Sequence, residues 1–439
     1  MKNLIAKASL LMMLLILCID ISSQSEISIP KIKLSEDGKH YIQASFLGQM
    51  WMRHTDMNQG TTVFGEPMSA KADLGIRRLR MTLSGQLTDK VYFYTQFGMN
   101  NFNDLSKRYV GSFFHDAVVE YHFSSAFQVG TGLTGWSGLS RYASPSIGSL
   151  LAIDAPLFLQ VTNGVNDQFL RKLSVYAKGQ LGKLDYRFAL TNPMAIQNST
   201  STIDELSINS NYNPYPAHLQ TQGYVKYQFL DKESNNTPYS AGSYLGKKKV
   251  FNLGIGTIYQ PKTFWNTNTT GDTSVNDMLL LGIDLFYDAP LNKEKENALS
   301  VYLSFNQLSM GEGYLKNIGV MNPANGNSNP AILNGGGNGF PAIGNGTALY
   351  GQIGYLFGKK EGVDARIQLY TSAQVGLYDR LESPMIMTES GFNYFVTGNH
   401  SSKITVNYQL RPIYESQLNA KAEQIDTKGM FQIQYQISI

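Results

Sequence analysis

The chain ends in GMFQIQYQISI, residues 429–439, where apolar and polar side chains alternate without a break. In an extended strand, successive side chains point to opposite faces. One face of this segment would therefore carry Phe431, Ile433, Tyr435 and Ile437, and the other would carry the glutamines between them. The stretch predicts a two-faced β-strand at the very end of the chain.

The same two-residue period recurs along most of the sequence. In LLLGIDLFYD, for example, Leu281, Ile283 and Leu285 share one face, and Gly282 and Asp284 share the other. Tested in this way, the sequence predicts about sixteen strands. They lie near residues 41–53, 75–87, 90–100, 113–123, 126–133, 167–181, 183–193, 218–230, 247–259, 277–289, 297–308, 345–357, 363–375, 388–398, 401–412 and 427–439.

The segments between these strands alternate between short and long. Short turns such as GK and NHSS alternate with long polar stretches, among them 134–166, 194–217, 260–276 and 309–344. Only the turn 231–246 is longer than this alternation predicts. An even number of strands with short turns at one end and long loops at the other is typical of outer-membrane barrels.

The predicted fold class is therefore an all-β, transmembrane, antiparallel β-barrel with short periplasmic turns and long external loops. Backbone groups in lipid need partners within the protein, so a sheet spans a bilayer only when it is closed. We expect residues 431–439 to pair with the first strand, YIQASFLGQMWM. The alternative is a secreted β-sandwich or propeller, although no repeat of propeller-blade length is visible.

The N-terminus predicts export from the cytoplasm. Two lysines precede an apolar run of about a dozen residues, which is the pattern of a secretory signal peptide and too short for a spanning helix. The predicted organisation is a cleaved signal peptide (1–23), a short periplasmic segment (24–40) and a barrel (41–439). Cys18, the only cysteine, lies in the signal peptide. It leaves a lipoprotein signal as an alternative, although Leu17 is bulky for such processing.

The composition agrees with a membrane barrel. The chain has 26 Tyr, 22 Phe and 41 Gly, and its net charge of +3 is too small to indicate a nucleic-acid partner. We expect contact with outer-membrane lipid and lipopolysaccharide in the bacterial outer membrane. The C-terminal strand is the kind of segment that barrel-assembly machinery recognises.

If one face of each strand meets lipid, the other lines the lumen. Basic side chains predominate on the predicted inner faces, and rings of such residues favour anions. They are Arg78, Arg80, Lys172, Lys178, Arg187, Lys226, Arg366, Lys403 and Arg411, opposed by Asp116, Glu120, Asp185, Asp284 and Asp288. The alternative is the mixture of charges found in any water-filled barrel, and a one-residue error in register would reverse a strand's assignment.

In GIRRLRMTLSG, Arg78 and Arg80 form the best candidate anion site, whereas Arg77 is predicted to share the outer face with Leu79. The stretch 134–166 would be the third external loop, and its apolar centre indicates burial in the barrel or at a subunit contact. Arg141 and Asp154 would then face a constriction. A surface loop packed on its own side chains is the alternative.

Catalytic and metal-binding interpretations have little support. HDAVVEYH places Asp116, Glu120 and His122 on one predicted strand face with His115 on the other, but no ligands from neighbouring strands can be named. We predict no enzyme activity, no metal and no cofactor.

Two stretches resemble the phosphate-selective porin O and P family. GIRRLRMTLSGQLTDKVYFYTQFGM is similar to its early hairpin. ESGFNYFVTGNHSSKITVNYQLRP is similar to its penultimate hairpin, through Gly391, Asn393, Tyr394, Gly398, Asn399, His400, Lys403 and Tyr408. The resemblance implies a sixteen-stranded, homotrimeric outer-membrane porin of a Gram-negative bacterium, and the residue usage resembles the Bacteroidota branch. The family's dense arginine ladder and lysine cluster are not found.

The expected function is passive diffusion of small hydrophilic solutes, anionic or neutral, with a mild preference for anions including phosphate. One alternative is a plugged barrel that acts through its external loops as a binding or secretion-partner protein. Another, a barrel that moves hydrophobic ligands, would favour an apolar lumen or a plug domain. The true solute, the pore diameter, the oligomeric state and the path of 134–166 are not determined by the sequence.

Overall fold

The computed structural model describes residues 31–106, 113–135, 138–167, 169–194, 206–213, 218–268, 270–417 and 420–439. The predicted signal peptide lies outside these residues. Of the predicted periplasmic segment, residues 31–40 are described, and Ile32–Lys33 pairs with the start of the first barrel strand.

Sixteen antiparallel strands of the described residues close into one barrel. Each strand is hydrogen-bonded to the next along the chain, and the last is bonded to the first. They are β1 Tyr41–Asp56, β2 Ala70–Gln86, β3 Val91–Phe102, β4 Phe113–His122, β5 Gln128–Thr134, β6 Lys172–Leu181, β7 Leu184–Asn192, β8 Gln220–Gln228, β9 Val250–Thr267, β10 Thr273–Asn292, β11 Asn297–Ser309, β12 Gly346–Leu356, β13 Arg366–Tyr378, β14 Met385–Phe395, β15 Ser402–Glu415 and β16 Glu423–Ser438. The predicted barrel and its sixteen strands are confirmed.

The closing seam is formed by the C-terminal stretch. Strand β16 pairs with β1 from Leu47 opposite Ser438 to Thr55 opposite Met430. The last residue takes part too, because Phe46 and Ile439 exchange two backbone hydrogen bonds of 2.9 Å. The two-faced end of the chain is therefore the strand that removes the free edges of the sheet.

The outer surface is an apolar band. Along β10, Leu281 and Ile283 are 46% and 49% exposed, whereas Leu280, on the opposite face, is fully buried. Aromatic rings gather at the short-turn end of the barrel, for example Tyr227 and Phe251, each with its ring centroid 4.8 Å from that of Phe229. Such girdles mark the membrane–water interface of outer-membrane barrels. Among the described residues, no helix is both long and apolar enough to cross a membrane.

A β-bulge in β2 corrects the prediction for Arg77. Gln49 lies opposite Arg78 and the next residue, Met50, lies opposite Ile76, so Arg77 is an extra residue between the two pairs. A bulge places two successive side chains on the same face. Arg77 is therefore buried in the barrel instead of facing lipid, next to Arg78.

A second bulge corrects the prediction for His115. In β4, Asp116 lies opposite Gln96 and Phe114 lies opposite Phe97, so His115 is the extra residue. His115 and Asp116 are both buried, on the same side of the strand.

Some loop boundaries also differ from those predicted. Strands β9 and β10 continue to Thr267 and from Thr273, so the external connection predicted at 260–276 shortens to 268–272. Strand β6 begins at Lys172, not at residue 167, which lengthens the third external loop to residues 135–171. We call these residues loop 3, and residues 310–345 loop 6.

Loop 3 and loop 6 lie inside the barrel. Leu139, Tyr142 and Phe158 of loop 3 join one buried apolar cluster with Phe340 and Ile343 of loop 6. Inward side chains of β9–β15 complete the cluster, including Met278, Leu280, Phe286, Tyr302, Tyr350, Tyr378, Met387 and Tyr414. One half of the lumen is thus filled like the core of a soluble protein, and the polar inner face of β1–β4 lies across from it.

Candidate pore constriction

Loop 3 enters the lumen over glycines of the barrel wall. A Cβ atom at Gly256 of β9 would lie 2.1 Å from the carbonyl oxygen of Gly138, and one at Gly282 of β10 would lie 2.3 Å from that of Leu139. The backbone of loop 3 therefore rests directly on two neighbouring strands. Only residues without a side chain permit this approach.

Loop 3 then crosses to the opposite wall, where polar side chains bind its backbone. Gln49 of β1 donates to the carbonyl of Ile147 at 3.2 Å, and Gln436 of β16 donates to that of Gly148 at 2.8 Å. Lys403 of β15 donates to the carbonyl of Leu150 at 2.9 Å. These contacts hold the loop across the barrel, so the loop narrows the lumen.

Asp154 fixes loop 3 to the bulge of β2. Its carboxylate accepts a hydrogen bond from Nη2 of Arg77 at 2.7 Å and another from Arg78. Burial by itself raises the pKa of Asp154, but the two guanidinium groups outweigh it and lower the pKa below its ordinary value. Asp154 therefore stays ionised at neutral pH and acts as a charged anchor.

A cavity of about 560 Å³ remains between loop 3 and the inner wall of β1–β3. Four arginines line it: Arg77, Arg78, Arg80 and Arg171. No Asp or Glu side chain is among its described lining residues. The cavity thus brings four guanidinium groups together at one place in the lumen.

The charges around this cavity do not cancel. Arg77 and Arg78 share the single carboxylate of Asp154, and Arg171 lies 3.5 Å from Asp116. The guanidinium of Arg80 donates only to the carbonyls of Leu79 and Met99 and to Asn100 in the described residues. Among these side chains, four guanidinium groups thus face two carboxylates, which leaves a formal excess of two positive charges.

Arg171 lies before β6 and was not identified from the sequence. Its Nη2 donates to the hydroxyl of Tyr239 at 2.6 Å, and its guanidinium lies 5.3 Å from the centre of that ring. Burial by itself lowers the pKa of Arg171, but Tyr239 and Asp116 raise it overall. No motif marks this residue, because its position depends on the path of loop 3.

Most of the other predicted lumen residues hold loops in place. Their side chains are buried inside the barrel, but none of them lines the cavity. Lys172 binds Asp167 of loop 3 at 2.8 Å, Lys178 binds Glu120 at 2.7 Å and Lys226 binds Glu233 at 3.1 Å. Lys172 and Lys178 each have a carboxylate partner of their own, whereas Lys226 shares Glu233 with Arg141.

Three arginines bind backbone carbonyls. Arg187 donates to Pro238 at 2.9 Å, Arg366 to Leu245 at 3.4 Å, and Arg411 to Gly337 of loop 6 at 3.2 Å. Arg366 and Arg411 lie within the wall of the filled half of the lumen. They act as supports for the inserted segments.

Arg141 and Asp154, both predicted at the constriction, lie on different sides of loop 3. Asp154 contacts the cavity arginines, whereas Arg141 contacts Glu233 and stacks 3.6 Å from the ring centre of Phe286. Neither side chain lines the cavity itself. Within the described part of the chain, no group of His, Cys, Asp and Glu residues is arranged to hold a metal ion.

Comparison with protein families gives a direct match. Residues 53–144, from β1 to loop 3, match the model of the family described as phosphate-selective porin O and P. This match confirms the resemblance seen in the sequence. Over residues 53–144 the chain is therefore similar to a family of porins. Comparison with curated proteins gives no match.

Solved structures show the same fold. The Salmonella typhi OmpF structure in complex with daunomycin is 8% identical to this chain, covers 93% of this chain and 100% of its own, and superposes with a TM-score of 0.50. The high-pH structure of Pseudomonas putida OprB is 10% identical, covers 92% of this chain and 95% of its own, and gives a TM-score of 0.51. At such identities the likeness concerns the fold alone.

Proposed function

We propose that the protein is an outer-membrane porin that allows passive diffusion of small hydrophilic solutes and prefers anions, including phosphate. The observation that carries this proposal is the cavity lined by Arg77, Arg78, Arg80 and Arg171 without an Asp or Glu among its described lining residues. Arginine presents a planar set of donors that suits carboxylate and phosphate oxygens. An excess of fixed positive charge beside a narrow passage raises the local concentration of anions.

Single-channel recording in a planar bilayer under a salt gradient tests this proposal. We expect discrete conductance steps with a reversal potential shifted toward that of the anion. Replacing Arg78 and Arg80 together by Glu should move the reversal potential toward cation preference. Lys360→Gln, in an exposed periplasmic turn, removes a positive charge outside the lumen and is the control. An unchanged reversal potential in the double variant would remove both arginines from the selectivity argument.

A second candidate function is supported by the filled half of the lumen. Loop 3 and loop 6 form a buried apolar cluster with β9–β15, an arrangement that would also suit a plugged barrel acting through its external surface. A folded wild-type barrel that gives no conductance steps would favour this candidate over diffusion.

The proposal includes the partners that the family resemblance implies. We propose a homotrimer embedded in outer-membrane lipid and lipopolysaccharide and assembled through recognition of the C-terminal strand. Cross-linking of the protein in intact outer membranes, followed by electrophoresis without boiling, tests the trimer. A band at the monomer position alone would contradict it.

A further inference from the structure

The periplasmic turn 231–246, which we call the inserted turn, differs from the other short connections. Glu233, Ser240, Ser243 and Leu245 are at most 5% exposed, although a turn at the rim of a barrel normally meets water. By contrast, the periplasmic turn between β12 and β13 is exposed from Lys359 to Asp364. The inserted turn therefore folds back into the lumen from the periplasmic end.

The inserted turn joins loop 3 through backbone hydrogen bonds. The N–H of Ser146 donates to the carbonyl of Ser240 at 2.8 Å, and the N–H of Ser240 donates to the carbonyl of Ser144 at 2.9 Å. Pro145 and Ser240 form a parallel bridge between these two bonds. A segment that enters from the external side and one that enters from the periplasmic side thus meet inside the barrel.

Glu233 is the charged centre of this junction. Its carboxylate accepts hydrogen bonds from Arg141 at 2.7 and 2.6 Å, from Tyr244 at 2.6 Å and from Asn252 at 2.6 Å. Lys226 of β8 completes the set at 3.1 Å. Loss of one partner of a buried ion pair is strongly destabilising, so the two segments that carry the partners are held together. Here the ion pair sets the position of the inserted turn relative to loop 3.

The tip of the inserted turn reaches the arginine-lined cavity. Asn236, Thr237 and Tyr239 are among its lining residues. The hydroxyl of Tyr239 donates to Asp116 and accepts from Arg171, so this one side chain holds Arg171 at the cavity. The polar wall of β1–β3 faces this tip across the cavity.

We propose that the inserted turn is the second half of the pore constriction, with Glu233 as the positioning residue that fixes it to loop 3. The inference rests on the proposed function, because a constriction has meaning only in a conducting barrel. It assigns the size limit of the pore to the inserted turn and loop 3 together. It also assigns to Tyr239 the placement of one of the four cavity arginines.

Shortening the turn tests the effect on the pore. Replacing residues 235–241 by two glycines removes Tyr239 and the backbone pairing of Ser240 with loop 3, and leaves Glu233 in place. We expect single-channel conductance to rise on the order of twofold, because the narrowest part of a pore limits its current. Larger sugars should also enter proteoliposomes that contain the variant. Removing residues 360–362 from the exposed periplasmic turn is the control and should leave both measurements unchanged.

A disulfide tests the junction independently of conductance. Pro145→Cys with Ser240→Cys places two thiols at bridged positions in a chain whose only other cysteine is Cys18, in the predicted signal peptide. We expect the disulfide to form during export. The Glu233→Gln variant should show larger fluctuations of the open-channel current than the wild type. Adding the disulfide to this variant should reduce the fluctuations, and a reductant should restore them. A merely structural role for Glu233 would not give this reversible rescue.

The outcomes separate the two proposals. A wild-type barrel without conductance would overturn the proposed function, and the inference would fall with it. A conducting wild type whose shortened-turn variant keeps the same conductance and sugar limit would overturn the inference alone. A folded cysteine variant that forms no disulfide would also overturn it, because the junction would then be absent in the membrane.

Discussion

The carboxylate of Asp154 in loop 3 lies 2.7 Å from Nη2 of Arg77, the extra residue of the bulge in β2. A regular strand would point Arg77 at lipid, so the bulge creates this contact. This contact fastens the far side of loop 3 to the barrel wall. The bulge also brings Arg77 to the cavity, beside Arg78 and Arg80 of the same strand. Loop position and pore charge therefore depend on the same local irregularity.

Asp154→Asn should strengthen the preference for anions. The change removes one of the two carboxylates that oppose four guanidinium groups, so the reversal potential under a salt gradient should move further toward that of the anion. Loss of one partner of a buried ion pair should also destabilise the protein, by about 3 kcal/mol. Heating in detergent with electrophoresis measures the temperature at which the folded band disappears. Asp364→Asn, in an exposed turn, is the control, and an equal change in both variants would contradict the prediction.

Gly256→Ala should displace loop 3. The new methyl group would lie 2.1 Å from the carbonyl oxygen of Gly138, and the backbone atoms that it meets cannot rotate away. We expect a destabilisation of about 1–3 kcal/mol, typical of overpacking, and an altered single-channel conductance. Gly351→Ala is the matched control, because its methyl group would find only a side-chain atom of Leu303 at 3.5 Å. Wild-type conductance in Gly256→Ala would show that loop 3 does not depend on this contact.

Acidification should loosen the turn that contains His400. Nε2 of His400 lies 3.1 Å from the carbonyl oxygen of Ser243 in the inserted turn. Burial, together with Lys403 and Lys247, lowers the pKa of His400 to about 3, although the Ser243 carbonyl acts to raise it. Because the unfolded chain binds a proton near pH 6.5 and the folded one near pH 3, stability is lost as the pH falls between these values.

The melting temperature of the folded band should therefore be lower at about pH 5 than at about pH 7.5, with at most about 2 kcal/mol attributable to His400. His400→Asn should reduce this difference, because the replacement does not titrate. The same pH difference in the variant and in the wild type would assign the effect to other groups.

The strands could be predicted from the sequence because the membrane imposes a simple rule. Each strand must present apolar residues to lipid at every second position, and this period is visible in stretches such as residues 277–289. The closing role of residues 431–439 follows from the same rule, since a sheet in lipid has no free edge.

The candidate site was less predictable, because it depends on departures from that rule. In IRRLR, residues 76–80, a regular strand places at least one arginine on each face, whichever face is assigned to lipid. The sequence pattern therefore does not reveal the bulge at Arg77. The length of the inserted turn was visible, but its burial depends on Arg141, which lies 92 residues away from Glu233 in the chain. Contacts between distant loops leave no periodic signal in a single sequence.

The apolar band gives the last prediction, for which β10 provides a matched pair. Leu281 and Val275 lie on the same outer face and are 46% and 47% exposed, but Leu281 is near the middle of the strand and Val275 near its external end. Arginine on the lipid face costs about 2–4 kcal/mol at the membrane midplane and about 0–1 kcal/mol near the interface. Leu281→Arg should therefore destabilise the folded barrel by more than Val275→Arg, as measured by denaturant unfolding in lipid vesicles. Equal losses in the two variants would show that the strand crosses the membrane at a different depth from the one that its exposed leucines indicate.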